Sequence, residues 1–212
     1  MKMKIKDWIF VIRCKINFFF LILKNRRTAI KGHCCVHNVV IQDEGHGNKL
    51  LTGRNVILEN CRFEFIGGSN MISLGDGIRI SGVTFRCEKN CAIIEIGKGS
   101  WIGPNSFLLA IDNTKIKIGE KCAIARNCTM RTSDSHFIFD SNGRHLNPPQ
   151  DIFIGNHIWI GEQVIILKGA NIEDGCIVGA RSLVTSNCKH KDNSIIAGMP
   201  ARMIKEDITW ML

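Results

Sequence analysis

The chain has 212 residues, of which 45% are hydrophobic, and a formal net charge of +9. This length suits one domain with an appendage, and the hydrophobic content can fill a core. The charge is concentrated at one end, because residues 1–31 carry nine basic side chains against one acidic side chain. A protein that binds nucleic acid is expected to be basic over its binding domain, so this distribution argues against a nucleic-acid partner.

Residues 3–24 predict a basic amphipathic helix. Lys6, Arg13 and Lys24 fall on one stripe, and apolar side chains, several of them aromatic, gather on the other side. Charges interrupt the apolar run, which argues against a transmembrane span, and no small-residue cleavage site follows it, which argues against a signal peptide. Such a helix suits the anionic inner surface of a membrane; the alternative is packing on the rest of the chain or on a neighbouring subunit. We predict a cytoplasmic protein, peripheral on the inner face of the membrane.

Between Ile96 and Cys188 an aliphatic residue recurs at every sixth position, with two interruptions. A period of six fits neither an α-helix nor an isolated amphipathic strand. It is typical of a parallel β-helix, in which each repeat supplies a short strand and a turn. The aliphatic side chains are predicted to fill a narrow shaft. They are Ile96, Ile102, Leu108, Ile118, Ile124, Met130, Ile154, Ile160, Ile166, Ile172, Val178 and Val184.

Residues 38–91 follow the six-residue period only loosely, but a longer repeat is present. Gly47-Asn48, Ser69-Asn70 and Lys89-Asn90 recur at spacings of 20–22 residues. Asn and Gly tolerate left-handed turns, and the segments between these pairs alternate apolar with polar residues as half-buried strands do. We interpret this region as further coils of the same β-helix.

Four of the ten cysteines, Cys122, Cys128, Cys176 and Cys188, occupy a small-residue position of the repeat. We interpret them as buried free thiols in a reducing cytoplasm. Residues 33–37 contain two histidines and two cysteines, but their spacing matches no zinc pattern. No metal is predicted.

With these repeats, the chain resembles the hexapeptide-repeat acyltransferases, and within them the bacterial O-acetyltransferases that act on capsule, lipopolysaccharide or other sugars. The resemblance implies an all-β fold, a left-handed parallel β-helix, assembly as a homotrimer and acetyl-CoA as co-substrate. We predict an amphipathic N-terminal segment over residues 1–35 and a β-helix domain over residues 36–205. Residues 206–212 are expected to form a short C-terminal helix or tail.

Residues 133–152 are polar and contain Pro148-Pro149, which cannot donate ladder hydrogen bonds, so this segment is predicted to leave the β-helix as a loop. In the acyltransferases that the chain resembles, a histidine at the start of such a loop is the general base, which implies His136. A base of near-neutral pKa suits removal of a sugar hydroxyl proton during attack on a thioester, and the thiol leaving group needs little acid assistance. Backbone donors can stabilise the oxyanion without a metal or covalent intermediate.

Other loop residues are candidates for supporting roles. His145, within the loop, and His157, just after it, are the alternative bases. Asp134 either orients the imidazole of His136 or caps a turn. Together with Asp134, the side chains of Arg144 and Asn147 are candidates for binding the acceptor.

Trp159 is out of phase with the inward positions, so it is predicted to point outward and to line either the coenzyme cleft or a subunit interface. The resemblance implies that Gly161 and Ala180 line the coenzyme A groove, where small residues allow close approach of the pantetheine arm. The cations predicted near the coenzyme phosphates are Lys168, Arg181 and Arg202.

The predicted function is transfer of an acetyl group from acetyl-CoA to a hydroxyl of a capsular, lipopolysaccharide or other cell-surface polysaccharide. One alternative is another acetyltransferase of the superfamily, acting on serine, a nucleotide-sugar amine or an antibiotic. A second is a γ-type carbonic anhydrase or a non-catalytic β-helix scaffold, although the histidines lack the spacing of that zinc site.

Overall fold

A computed structural model describes residues 16–23, 25 and 27–211 of the chain. In this part the chain winds into a β-helix. Each coil contributes one strand to each of three sheets, and these sheets contain seven, nine and seven strands. Successive coils pair in parallel, and the last two strands, β22 and β23, pair antiparallel. The all-β class and the parallel β-helix are confirmed.

The strands are numbered in chain order. Sheet A contains β1 (Ala29–Lys31), β4 (Lys49–Thr52), β7 (Met71–Leu74), β10 (Ile93–Ile96), β13 (Lys115–Ile118), β16 (Ile152–Ile154) and β19 (Asn171–Ile172). Sheet B contains β2 (Cys34–His37), β5 (Val56–Glu59), β8 (Arg79–Ser81), β11 (Trp101–Ile102), β14 (Ala123–Ile124), β17 (Trp159–Ile160), β20 (Ile177–Val178), β22 (Ile195–Gly198) and β23 (Ala201–Lys205). Sheet C contains β3 (Val40–Asp43), β6 (Arg62–Ile66), β9 (Thr84–Glu88), β12 (Phe107–Ile111), β15 (Thr129–Arg131), β18 (Ile165–Leu167) and β21 (Leu183–Val184).

The core is a column of apolar side chains that point inward from all three sheets. In β13, for example, Ile116 and Ile118 are buried, whereas the alternating Lys115 and Lys117 face outward. The register places Ile116 beside Ile94, so equivalent positions stack from coil to coil. All twelve aliphatic positions of the six-residue repeat are buried in this column, as predicted.

The coils have two lengths. Lys49 pairs with Met71 and Met71 with Ile93, a spacing of 22 residues, whereas Trp159 pairs with Ile177, a spacing of 18. The longer coils have longer strands, and a second inward position in sheet C fits side chains such as Phe65. The long repeat predicted from the sequence is therefore the larger coil.

Buried asparagines stabilise the longer coils. They do so through side-chain hydrogen bonds, whereas the prediction had them as left-handed turn residues. Asn48 Oδ1 accepts from the backbone N–H of Asn70 at 2.9 Å, and Asn70 Oδ1 accepts from that of Ala92 at 2.9 Å. Both side chains are fully buried, so these bonds satisfy backbone groups that water cannot reach. The left-handed turn residues are the residues that precede them, Gly47 with φ 70° and Ser69 with φ 58°.

Cysteines fill the small-residue position in the later coils. Cys122, Cys128, Cys176 and Cys188 are buried free thiols, as predicted. The thiol of Cys122 donates to the carbonyl of Gly155 at 3.2 Å, and that of Cys128 donates to Gly161 at 3.3 Å. Burial raises the pKa of both thiols. Cys35, in β2, is disulfide-bonded and does not belong to this group.

Both ends of the β-helix are covered. Residues 16–23 are helical, and Leu21 packs into the first coil while Asn17 Nδ2 donates to the carbonyl of Val36 at 3.2 Å. The rest of the predicted helix, residues 3–15 and 24, lies outside the described residues. At the other end, β23 folds back on β22.

The N-terminal boundary of the β-helix differs from the prediction. Residues 1–35 contain β1 and the first two residues of β2, because the first coil is already in register with the second. Of the two predicted forms of the C-terminus, residues 206–211 adopt the tail, which is held to the last coil by the Ile208 N–H, a donor to the carbonyl of Asn193 at 2.9 Å. Among the described residues, no helix is long and apolar enough to cross a membrane.

Candidate active site

The predicted loop connects β15 of sheet C to β16 of sheet A, and so leaves the β-helix at the corner between these sheets. Its middle is a short antiparallel hairpin with a bridge between Phe139 and His145. Arg144 lies beside the turn, where its backbone N–H donates to Asp140 Oδ1 at 2.9 Å. The loop is therefore an ordered projection with its own hydrogen bonds.

The side chain of Asn147 joins the two arms of the hairpin, in addition to the backbone bond from the Leu146 N–H to the carbonyl of Ile138 at 2.8 Å. Its side-chain Nδ2 donates to the carbonyl of His136 at 2.8 Å and to Asp134 Oδ2 at 2.9 Å. Its Oδ1 accepts from the backbone N–H of Ile138 at 2.7 Å and lies 3.1 Å from His145 Nε2. Because Oδ1 is an acceptor, this contact requires the proton of the neutral His145 ring to be on Nε2.

Lys168, which follows β18, attaches the loop to the β-helix. Its Nζ donates to Asp134 Oδ2 and, at 3.0 Å, to the carbonyl of Asn147. The hydrogen bond from Lys168 is the largest contribution that lowers the pKa of the Asp134 carboxyl, and Asn147 adds to it. Asp134 thus bonds to Lys168 and Asn147, whereas one prediction from the sequence had it orienting the imidazole of His136.

The two loop histidines have different surroundings. His136 is exposed, and its backbone carbonyl is fixed by Asn147. The ring of His145 packs against Phe137 and Phe139, at centroid distances of 5.1 and 5.4 Å, and contacts Asn147. His136 therefore has a ring that is open to a substrate, while the ring of His145 is used in the hairpin.

Trp159 lies on the outer face of sheet B and is 46% exposed, so its predicted outward direction is confirmed. Beside it, at a centroid distance of 6.1 Å, is Trp210 from the C-terminal tail. Trp210 stacks on His157 at 4.1 Å, its Nε1 donates to the carbonyl of His157, and its own carbonyl contacts His157 Nε2 at 3.0 Å. His157 is thus engaged in anchoring the tail.

Gly161 and Ala180 are neighbours on adjacent coils, at the corner between sheets B and C. A Cβ added to Gly161 would lie 2.6 Å from the backbone nitrogen of Ala180. This close stacking of coils requires glycine irrespective of any coenzyme. The predicted contact of these residues with pantetheine stays a prediction.

The three predicted phosphate-binding cations are placed differently. Arg181 and Arg202 are exposed; Arg181 Nε donates to Gln163 Oε1 at 2.7 Å, and Arg202 donates to the carbonyl of Ala201 at 3.0 Å. The ammonium group of Lys168 is already bonded to Asp134 and to the carbonyl of Asn147. Among the described residues, no group of three His, Cys, Asp or Glu side chains could hold a metal ion.

The candidate residues form two groups at different edges of the β-helix. The loop group, with His136, lies at the corner between sheets C and A, and the group that includes Trp159 and Gly161 lies on sheet B and its corner with sheet C. Within a single chain, the predicted base and the predicted coenzyme-binding residues therefore lie at different corners of the β-helix.

Comparison with known proteins identifies the family, although no family model matches the chain. The chain is 30% identical over 167 residues to the polysialic acid O-acetyltransferase of Neisseria meningitidis, with 78% of this chain and 76% of that protein covered. It is 42% identical over 166 residues to WbbJ, an O-acetyl transferase assigned to lipopolysaccharide biosynthesis in Escherichia coli K12, with 71% and 82% covered. The chain belongs to this O-acetyltransferase family.

Solved structures agree with this membership. The polySia-specific acetyltransferase NeuO superposes with a TM-score of 0.76 at 27% identity, covering 87% of this chain and 78% of NeuO. The polysialic acid O-acetyltransferase OatWY gives 0.67 at 26% identity, covering 87% and 91%. The predicted left-handed β-helix and the predicted class of enzyme, an acyl-CoA-dependent O-acetyltransferase, are confirmed.

Two contributions were missed by the sequence reasoning. Trp210 lies in the predicted tail and was given no role, although a tryptophan is a large apolar side chain whose N–H usually finds a partner, which is a signal of anchoring. Asn147 was considered for acceptor binding, and its position before Pro148-Pro149 gave no indication that its amide joins the two arms of the loop.

The ion pair between Lys168 and Asp134 leads to a prediction about pH. Replacing Lys168 by methionine removes the main cause of the lowered pKa, so the pKa of the Asp134 carboxyl is expected to rise towards its ordinary value. Because the folded-state pKa is lowered, the pair stabilises the loop above the ordinary carboxyl range, and this contribution disappears as the pH falls through the lowered pKa. Carboxyl-carbon NMR titration measures the change.

Asp76 provides the control, since hydrogen bonds from Arg54 lower the pKa of its carboxyl at a distant corner. The titration of Asp76 is expected to be the same in the Lys168→Met variant and the wild type. An unchanged Asp134 titration in that variant would show that the ion pair does not form in solution.

Proposed function

We propose that this O-acetyltransferase transfers the acetyl group of acetyl-CoA to a sugar hydroxyl of a cell-surface polysaccharide in the cytoplasm, with His136 as the general base. Family membership supports the reaction, and the named relatives act on polysialic acid or are assigned to lipopolysaccharide biosynthesis. The observation that carries the assignment of the base is the exposed His136 ring on a loop whose backbone is fixed at that residue.

The chemistry needs a base and little else from the protein side chains. The neutral imidazole of His136 accepts the hydroxyl proton while the oxygen attacks the thioester carbon, and the tetrahedral intermediate then expels the coenzyme thiolate. That thiolate leaves readily because thiols ionise near pH 8.5, and it can recover the proton from the imidazolium. Backbone N–H groups can stabilise the oxyanion.

We assign the donor to the sheet B side. Trp159, with Gly161 and Ala180 at the adjoining corner, is proposed to contact the thioester arm, and the exposed guanidinium groups of Arg181 and Arg202 are proposed to bind phosphates. A phosphate contact from Lys168 would compete with its bond to Asp134. For the acceptor side, the exposed Arg144 beside the loop turn is the proposed contact.

Substitution of His136 by alanine is expected to lower kcat by about 100-fold or more, the usual size of a general-base contribution. Release of free thiol from acetyl-CoA measures this rate, with purified polysaccharides as acceptors, beginning with polysialic acid. His33→Ala is the matched control, because His33 is exposed on the first coil away from the loop. Acceptor-dependent release that survives in His136→Ala, and is lost in His145→Ala or His157→Ala, would contradict the assignment.

We further propose a homotrimer whose active sites lie between subunits. The separation of His136 from the residues on sheet B supports this arrangement, because a neighbouring subunit can bring its loop to the sheet B side. Co-expression of His136→Ala with Trp159→Ala is expected to restore part of the activity that each variant lacks alone, since some interfaces combine both intact residues. Absence of recovery in a mixture shown to contain mixed trimers would oppose a shared site.

Contact with the membrane through the N-terminal helix is a separate proposal. Leu21 packs on the first coil, while Phe19 and Phe20 on the same helix are 59% and 61% exposed. Exposed aromatic side chains on a helix that lies within a basic stretch of sequence suit the surface of an anionic membrane. The helix therefore has one side on the protein and another side available to lipid.

The double substitution Phe19→Ser/Phe20→Ser is expected to abolish sedimentation of the full chain with liposomes that contain anionic phospholipid. Phe153→Ser is the control, because Phe153 is 42% exposed on sheet A and lies outside the helix. Equal sedimentation of the double variant and the wild type would overturn the proposal of membrane contact.

A further inference from the structure

We infer that Asn147 is a positioning residue that aims the imidazole of His136, and that Lys168 fixes this arrangement to the β-helix. This inference rests on the proposed role of His136 as the base. It assigns to Asn147 and Lys168 a role within the loop in place of direct contact with acceptor or coenzyme.

The first part of the argument is the saturation of the Asn147 amide. Both Nδ2 protons are donated, one to the carbonyl of His136 and one to Asp134, and Oδ1 accepts the backbone N–H of Ile138. These three partners bracket His136 on both sides along the chain. A single planar amide therefore holds the two peptide units that follow the base, at the His136 carbonyl and the Ile138 N–H, and the carboxylate of Asp134 that precedes it.

The second part is the connection to a rigid element. Lys168 follows β18, and its Nζ donates to the carbonyl of Asn147 and to the carboxylate that Asn147 also contacts. The side chain of Lys168 is 17% exposed and that of Asp134 is 42% exposed, so the ammonium end of this ion pair is shielded from water. Movement of the loop relative to the β-helix would break these bonds together.

The third part is the exposure of the base itself. Its chain neighbours have contacts of their own, because Arg131 donates to Ser135 Oγ at 2.7 Å and the Lys89 ammonium lies 5.0 Å from the centroid of the Phe137 ring. Residues 136–139 are exposed on the projecting hairpin, so packing against the core does not hold them. The orientation of a catalytic side chain on such a loop depends on hydrogen bonds from its neighbours. Small misplacements of a catalytic group cost large factors in rate, so loss of the amide is expected to affect catalysis more than stability.

The test is a double-mutant cycle between Asn147 and His136. Asn147→Ala is expected to lower kcat by about 10- to 100-fold with an unchanged KM for acetyl-CoA. The same substitution in the His136→Ala background is expected to have no further effect, since the residue acts through the imidazole. Asn147→Asp retains the shape and an acceptor for Ile138 but removes both donors, so it is expected to reproduce the loss if Asn147→Ala fails to fold.

Asn142→Ala is the matched control, because Asn142 is exposed in the turn of the same hairpin and its backbone N–H, not its side chain, bonds to Asp140. It is expected to have wild-type kcat. The NMR signals of the His136 ring provide a measurement that needs no acceptor: they are expected to shift in Asn147→Ala and to remain unchanged in Asn142→Ala.

The results separate this inference from the proposed function. Wild-type activity in His136→Ala would overturn the role of the base, and the inference with it. A large loss in His136→Ala, together with an equal factor for Asn147→Ala in both backgrounds, would overturn the inference alone. Unchanged kcat and unchanged His136 signals in Asn147→Ala would do the same.

Discussion

The backbone ladder between successive coils is the constraint on which the rest of the structure depends. The peptide groups of each strand are satisfied by the coils above and below it, so every coil must repeat the same inward and outward pattern in register. Side-chain differences are accommodated only inside the column or at the corners. At the corners, successive coils approach so closely that a Cβ on Gly161 would collide with the backbone nitrogen of Ala180.

The same constraint decides where an active site can be built. An insertion within a strand would interrupt the ladder of its sheet. The corner between sheets C and A admits a whole loop, and β13 still pairs with β16 beyond it. Outside the ladder, the loop must supply its own hydrogen bonds. Asn147, Asp134 and Lys168 provide them, so the proposed base stands on a small polar framework attached to a rigid column.

The periodic part of the structure was readable from the sequence because it repeats. Inward positions such as Ile154 and Ile172, the thiols in the small-residue position, the larger coils and the position of the loop all follow from spacing. Contacts between residues without a common period could not be found in this way. The amide of Asn147 donates to a carbonyl 11 residues earlier, and Trp210 donates to His157 across 53 residues. No sequence pattern predicts either contact.

The difference in coil length has a consequence for how copies of this protein meet. A column of parallel strands with open ends could join end to end without limit and grow into fibres. Here the first coils are wider than the last, with spacings of 22 and 18 residues, so the end faces of two molecules do not match. The helix beside Leu21 covers one face, and the reversed strand β23 covers the other. A tapered column of this kind can associate through its sides while its ends resist polymerisation.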